Sequence, residues 1–338
     1  MGLILDGSGF VRRSQVFAGN AVEWRTLEAM LNGLSAPPGA LVVMDRGIAT
    51  EANLAWLREH GYRYLVVSRE AGRVQPEGEA TVTTAGGETL RVMKVVDEEA
   101  GEVRLYCHSA KREEKENGIN RRFCERFEAG LAKLAAGLTS PRGEKRPALI
   151  QERIGKLKQR SFGVGRHYAI TLETDPAGTK VTGLSWEQTP VAGTMLTDPG
   201  VYCLRSSEVA WSEADLWRTY MMLTDLEAVF RSLKSELGLR PIFHSKESRS
   251  DGHLFISVLA YQGVQLIRRQ LKANGIEASW SSLRDTLSVQ RRVTASFTRK
   301  DGGTLHVRKA TQPEPRLKAI YTALDLDPLP GGTKRLVA

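Results

Sequence analysis

At 338 residues, with 41% apolar and 26% charged residues, the chain has an ordinary globular balance and enough length for two or three domains, so a large core needs no disulfide or structural metal. Cys107, Cys124 and Cys203 are odd in number and widely spaced with no CxxC pair, which argues against a disulfide framework or a zinc site and suits a reducing cytosol. No apolar run approaches the roughly 20 residues that span a bilayer, and no basic segment leads into an apolar stretch at the N-terminus; a soluble, cytoplasmic protein with no membrane contact is expected.

The formal net charge is +9, an excess that favours polyanionic partners, above all nucleic acid. Between residues 111 and 166 there are 15 Lys or Arg against 7 Asp or Glu. That stretch reads either as a phosphate-binding surface or as a set of solvated helix faces.

In chain order, residues 2–5 form a short apolar run ending in the tight-turn signal Asp6-Gly7-Ser8-Gly9, and residues 10–17 return as the second strand of a hairpin. Trp24, Leu27, Met30, Leu31 and Leu34 recur at helical spacing over residues 22–34, before Pro37-Pro38-Gly39. Residues 40–44 are a continuous apolar run, as in a strand buried on both faces, and end at Asp45-Arg46-Gly47. Thr50 caps a helix over residues 51–60, and residues 62–67 form another buried strand. Hairpin, helix, strand, helix, strand is the order of a mixed α/β layer.

After Arg69 the pattern changes to short strands at 81–84, 89–96 and 103–107 between glycine-rich turns. A charged helix over 111–138 carries Phe123, Phe127, Leu131 and Leu134 on one stripe, and a second basic helix covers 148–160. Strands at 168–174, 180–186 and 201–204 lead to helices at 212–237 and 251–271. A short helix, a hairpin (293–299 with 304–309) and a proline-containing helix close the chain.

Asp45 follows a buried strand, where an acid faces the ligand crevice of an open α/β sheet; taken alone it also reads as a cap or turn residue. On the helix at 212–237, Tyr220, Glu227 and Lys234 are spaced by seven, close to two turns, with Arg231 one turn from Glu227. A carboxylate among cations and a phenol suits a metal ligand flanked by phosphate contacts; spacing alone equally describes an amphipathic helix with an ordinary ion pair. Arg240 forms a further basic turn with Leu239 and Pro241, and His244, Arg249 and His253 follow. The histidines match no zinc spacing and read as DNA contacts or helix-end hydrogen bonds. Asp198, Asp225 and Asp251 read as turn, exposed-face and N-cap residues, and Trp186, Trp211 and Trp217 as core.

The run from Tyr220 through Glu227 and Lys234 to Leu239-Arg240-Pro241-Ile242-Phe243-His244, continued by Arg249, Gly252 and His253, resembles the third-acid block of DDE insertion-sequence transposases. The branch is the one whose signature places Tyr, Arg, Glu and Lys on the last catalytic helix. Val43-Met44-Asp45-Arg46-Gly47 with Glu51, Asn53 and Leu54 resembles its second-acid block, and Gly19-Asn20 with Thr26 and Leu27 resembles the run that precedes it. The resemblance covers most of the chain.

It implies an RNase H-like core over 1–69 and 206–275, a β-rich and helical insertion domain over 70–205, and a helix–hairpin–helix tail over 276–338. It implies Asp45 and Glu227 as catalytic metal ligands, Tyr220, Arg231, Lys234, Arg240 and His244 as DNA contacts, and Mg²⁺, with Mn²⁺ as a substitute, as the cofactor. Two such ions about 4 Å apart would drive an in-line displacement. The implied partners are double-stranded DNA, as element ends and target, and a second copy of the chain when bound to DNA. The signature's arginine falls on Leu223. The hairpin at 2–17 resembles the family's second and third strands, so the strand bearing the first acid is expected to be missing and strand transfer to be weak or nil; Asp6 reads as a turn residue. The alternatives are a non-catalytic DNA-binding remnant and a structure-specific nuclease that uses Asp6.

Overall fold

Turn residues and apolar runs alternate from the first segment onward, and a computed structural model gives the elements they form. It describes residues 1–69, 72–84 and 86–337, with the side chains of all of these except 224–228 and 236. The chain is mixed α/β and divides into two units: Met1–Ala21, Ala29–Leu34 and Thr224–Ala338 form one, Val22–Glu28 and Ser35–Leu223 the other.

The strands β1 (Gly2–Leu5) and β2 (Val11–Gln15) pair antiparallel. Asp6 closes the turn: its Oδ1 accepts from Ser8 N at 2.9 Å and Phe10 N at 3.1 Å, and its Oδ2 pairs with Arg12. This is the turn role read from the sequence. The resemblance puts these strands in the main sheet, whereas here they form a two-stranded sheet of their own. The backbone N–H and C=O of Val11 are taken up by the side-chain amide of Gln262, at 3.2 and 2.8 Å. The helix expected at 22–34 is shorter: a 3₁₀ turn at Glu23–Thr26 runs into α1 (Leu27–Leu31). Val22 offers no side-chain cap, and Gly33 takes a left-handed φ of 75° just past the end.

In the second unit, β3 (Leu41–Met44), α2 (Glu51–Glu59) and β4 (Arg63–Val67) form a right-sized crossover, with β3 and β4 parallel and Met44 opposite Val66. The strands β5 (Thr81–Thr83), β6 (Thr89–Asp97) and β7 (Glu102–His108) follow as a meander. α3 (Ala110–Thr139) and α4 (Pro147–Gln159) then pack on the hairpin of β8 (Tyr168–Thr174) and β9 (Val181–Gln188). The stripe read from the sequence is its core: Phe127 and Leu131 are buried, with Phe123, Leu134 and Trp186 packed against them. β10 (Val201–Ser206) returns between β4 and β7, giving the sheet order β3-β4-β10-β7-β6-β5. The sheet therefore takes strands from both sides of Arg69.

The helix expected over 212–237 is α-helical as α5 (Glu213–Arg231) and then widens into a π turn at Ser232–Glu236. Leu216 and Trp217 from its start join the core of the six-stranded sheet. In the other unit, Leu233, Leu237 and Leu239 pack with Leu3, Leu5 and Val11 of the hairpin. The wide turn, with Leu237 N bonded to Ser232 O at 3.0 Å, brings the three leucines to that one core. α6 (Glu247–Ala273) starts four residues before the expected point, so Asp251 lies inside it and the N-cap is Lys246; Glu247 in the first turn suits the helix dipole. α7 (Trp280–Ser288), β11 (Arg292–Thr298), β12 (Thr304–Ala310) and α8 (Pro315–Ala323) follow the expected tail. The last strand, β13 (Lys334–Val337), has no counterpart in the sequence reading and pairs with β12. Among the described residues, no helix is long and apolar enough to cross a membrane.

Candidate active site and nucleic-acid interface

The apolar run of β3 ends at Asp45, at the carboxyl end of a parallel strand pair, where open α/β sheets bind ligands. Its Oδ1 accepts from Gly47 N at 2.9 Å and Ile48 N at 3.4 Å, which is the turn role. The side chain is nevertheless exposed, and its Oδ2 accepts no hydrogen bond among the described residues. Thr50 caps α2 as expected, its hydroxyl accepting from Asn53 N at 3.2 Å.

Asn53 fixes the surroundings of that loop. Its Nδ2 donates to Ile48 O at 2.7 Å and to Trp24 O at 2.8 Å, tying the loop after β3 to the 3₁₀ turn. Thr26 Oγ1 donates to Glu23 O at 2.7 Å within the same turn. The result is a second carboxylate near the first. A Cβ added to Gly47 would lie 3.2 Å from Asp45 Oδ1 and 3.5 Å from Glu23 Oε2, so the two acids flank the Gly47 backbone, and this close approach favours glycine. Sequence reasoning passed over Glu23, whose turn is held by Thr26 bonding Glu23 O and Asn53 bonding Trp24 O.

Glu51, the first residue of α2, is held from the other side. Arg205 of β10 donates to Glu51 Oε1 at 2.5 Å and to Glu102 of β7 at 2.6 and 3.0 Å. Glu102 also accepts from Tyr64 Oη at 2.6 Å and Arg58 at 2.8 Å. Burial pushes the Glu102 carboxyl up, and the hydrogen bonds from Arg205 and Tyr64 more than offset it, leaving it below its ordinary value. Burial, followed by the hydrogen bond to Glu102, raises the Tyr64 phenol to about 12.

Tyr220 lies in the same unit as Asp45, half-buried against the core of the six-stranded sheet. Arg231, Lys234, Arg240 and His244 belong to the other unit, and all four are exposed. Lys234 sits in the π turn with its ammonium 5.8 Å from the Phe230 ring centre, so the regular seven-residue stripe does not extend to it. His244 meets His253 edge-on, ring centres 5.4 Å apart, and His253 Nε2 bonds to Gly238 O at 2.8 Å, a helix-end contact as expected. The side chains of Asp225 and Glu227 lie outside the described residues. Asp198 is the turn residue read from the sequence, accepting from Gly193 N at 3.0 Å. Trp217 is buried, and Trp211 and Trp186 pack against core clusters. Among the described residues, no group of three His, Cys, Asp or Glu is placed to hold a metal ion.

The basic stretch is partly paired. Buried Glu116 takes Arg73 and Arg112, while Glu152 takes Lys156 and Glu144 takes Arg146. Lys115, Arg121, Arg126, Lys133 and Lys158 are exposed on α3 and α4 without an ion pair among the described residues. A scan against protein-family models and a search of curated proteins give no match to this chain.

Proposed function

We propose that the chain is a DDE-type insertion-sequence transposase with an RNase H-like core, acting on double-stranded DNA at element ends and target. The observation that carries the reading is an exposed acid, Asp45, ending a parallel strand inside one resembling block, followed in the family's order by the block from Tyr220 to His244. The open Oδ2 of Asp45 is a hard oxygen donor of the kind Mg²⁺ takes, so the residue fits a metal ligand; Glu227 is its partner by resemblance. Bound Mg²⁺ supplies Lewis-acid stabilisation of a phosphodiester under in-line attack. Exposed cations such as Arg231, Lys234 and Arg240, with His244, contact phosphates, and the free faces of α3 and α4 track the backbone. Two copies act together on paired ends.

The test is nicking of supercoiled DNA by the purified chain in Mn²⁺. Metal-dependent nicking that disappears in both Asp45→Ala and Glu227→Ala supports the reading; nicking that survives Asp45→Ala overturns it. A second reading, DNA binding without cleavage, is favoured by Asp6, whose carboxylate is committed to its turn and to Arg12 and so does not serve as the first acid. Salt-sensitive binding with no nicking in any metal selects that reading.

A further inference from the structure

The strands β11, β12 and β13 carry Arg292, Arg308, Lys309, Lys334 and Arg335 and no acidic residue. Their register sorts these cations onto two faces. Thr294 lies opposite Arg308, which lies opposite Lys334; Arg292 is opposite Ala310, and Thr298 opposite Thr304. Directly opposed residues share a face, and alternate residues along a strand return to it. One face therefore joins Arg292, Arg308 and Lys334 to the hydroxyls of Thr294, Thr298 and Thr304. Lys309 and Arg335 lie on the other, among Val293, Phe297 and Val307.

Arg308 and Lys334 are like charges in directly opposed positions, an arrangement that weakens a sheet. Both are exposed, and neither meets a carboxylate among the described residues; the ion pair of this region, Arg299 with Asp301, lies in the turn. A lysine on the edge strand β13 is explained by protection against edge-to-edge pairing. Arg308 has no such explanation, because β12 is the central strand. A polyanion laid across the strands balances the pair. The face has no Phe, Tyr or Trp of the kind that stacks on unpaired bases. Its one ring, His306, is hydrogen-bonded through Nδ1 to Ser296 Oγ at 2.7 Å, and Leu336 is its single large apolar residue, too little to anchor in a bilayer.

We propose that this face binds the phosphate backbone of duplex DNA independently of sequence, with Arg292, Arg308 and Lys334 on phosphates and the threonine hydroxyls donating to phosphate oxygens. It is a surface separate from the basic helices at 111–166 and does not depend on cleavage chemistry.

The experiment is fluorescence anisotropy of the full chain on a short labelled duplex of random sequence across about 50 to 200 mM KCl. Each phosphate contact contributes about 0.9 to the slope of log affinity against log salt. R308Q/K334Q should therefore flatten the slope by about 1.8, so that its deficit against the parent chain narrows about tenfold over that range. K309Q/R335Q, on the opposite face, should leave the slope unchanged. A parental slope in R308Q/K334Q overturns the inference, and so does equal flattening in both variants, which means diffuse attraction. Loss of binding to phosphatidylserine vesicles with DNA binding intact overturns it in favour of a membrane. Should the double variant melt early, K334Q alone on the exposed edge strand should flatten the slope by about 0.9, and failure to do so is equally decisive. Binding that behaves as expected without any nicking leaves this inference standing while the cleavage reading falls.

Discussion

Arg205 of β10 and Arg308 of β12 both sit on central strands of mostly antiparallel sheets, yet their surroundings are opposite. The Arg205 side chain is 7% exposed and clamped between Glu102, 2% exposed, and Glu51. Arg308 is exposed and faces Lys334 across the strand. A buried guanidinium without hydrogen-bonded counter-charge costs several kcal/mol, so the six-stranded sheet must supply partners from within. In the C-terminal sheet water solvates the cation, nothing compels an internal partner, and the charge stays available to something outside. Arginine on a strand is thus structural in one region and a docking element in the other, and burial makes the difference.

The comparison is tested most severely by Glu102→Ala, which strands Arg205 and should cost about 3–5 kcal/mol in urea unfolding. A loss under about 1 kcal/mol would mean that the buried network contributes little and that the contrast fails. Glu102→Gln sharpens it through pH. The folded carboxyl titrates below its ordinary 4.5, so its stabilisation is fully present above that value and is lost as pH falls through the lower folded value. The gap in Tm between the parent chain and Glu102→Gln should hold near neutrality and close below about pH 4.5; a gap that widens with acid would reverse the assigned sign.

Asn53 lies between the extremes, neutral and half-buried. Asn53→Ala removes two hydrogen bonds and should cost about 1–2 kcal/mol in the same unfolding assay. If Asn53 does hold the loop, amide exchange at Gly47 and Ile48 should also accelerate; unchanged protection there would dissociate it from the Asp45 turn. The smallest effect belongs to R308Q/K334Q, which should raise stability by up to about 1 kcal/mol, because it relieves like charges in opposed positions. A fall in Tm of several degrees would show that these cations are internally paired after all.

Much of this was legible in local sequence. The turn at Asp6, the cap at Thr50, the strand entering Asp45 and the stripe through Phe127 and Leu131 follow from short-range steric and hydrogen-bonding preferences and from apolar spacing. The short helix after Val22 and the π turn after Arg231 were not, since both depart from a regular helical pattern that spacing alone favours. At Ser232–Glu236 the departure brings Leu233, Leu237 and Leu239 to one core, a demand set by residues of the N-terminal hairpin more than 200 positions away.

The sequence by itself therefore determined element types, the basic character of the chain and an acid at the end of an apolar strand, because each depends on residues close together in the chain. That this strand is a half-buried edge rather than buried on both faces was set by the sheet order. Only the tertiary structure decided that Glu23 stands near Asp45, that Glu102 and Arg205 find each other across β7 and β10, and that β13 closes a sheet with β12. Those pairings join residues far apart in sequence, and which of many chemically equivalent carboxylates or strands meets a given partner is fixed by the packing of the whole unit rather than by local preference.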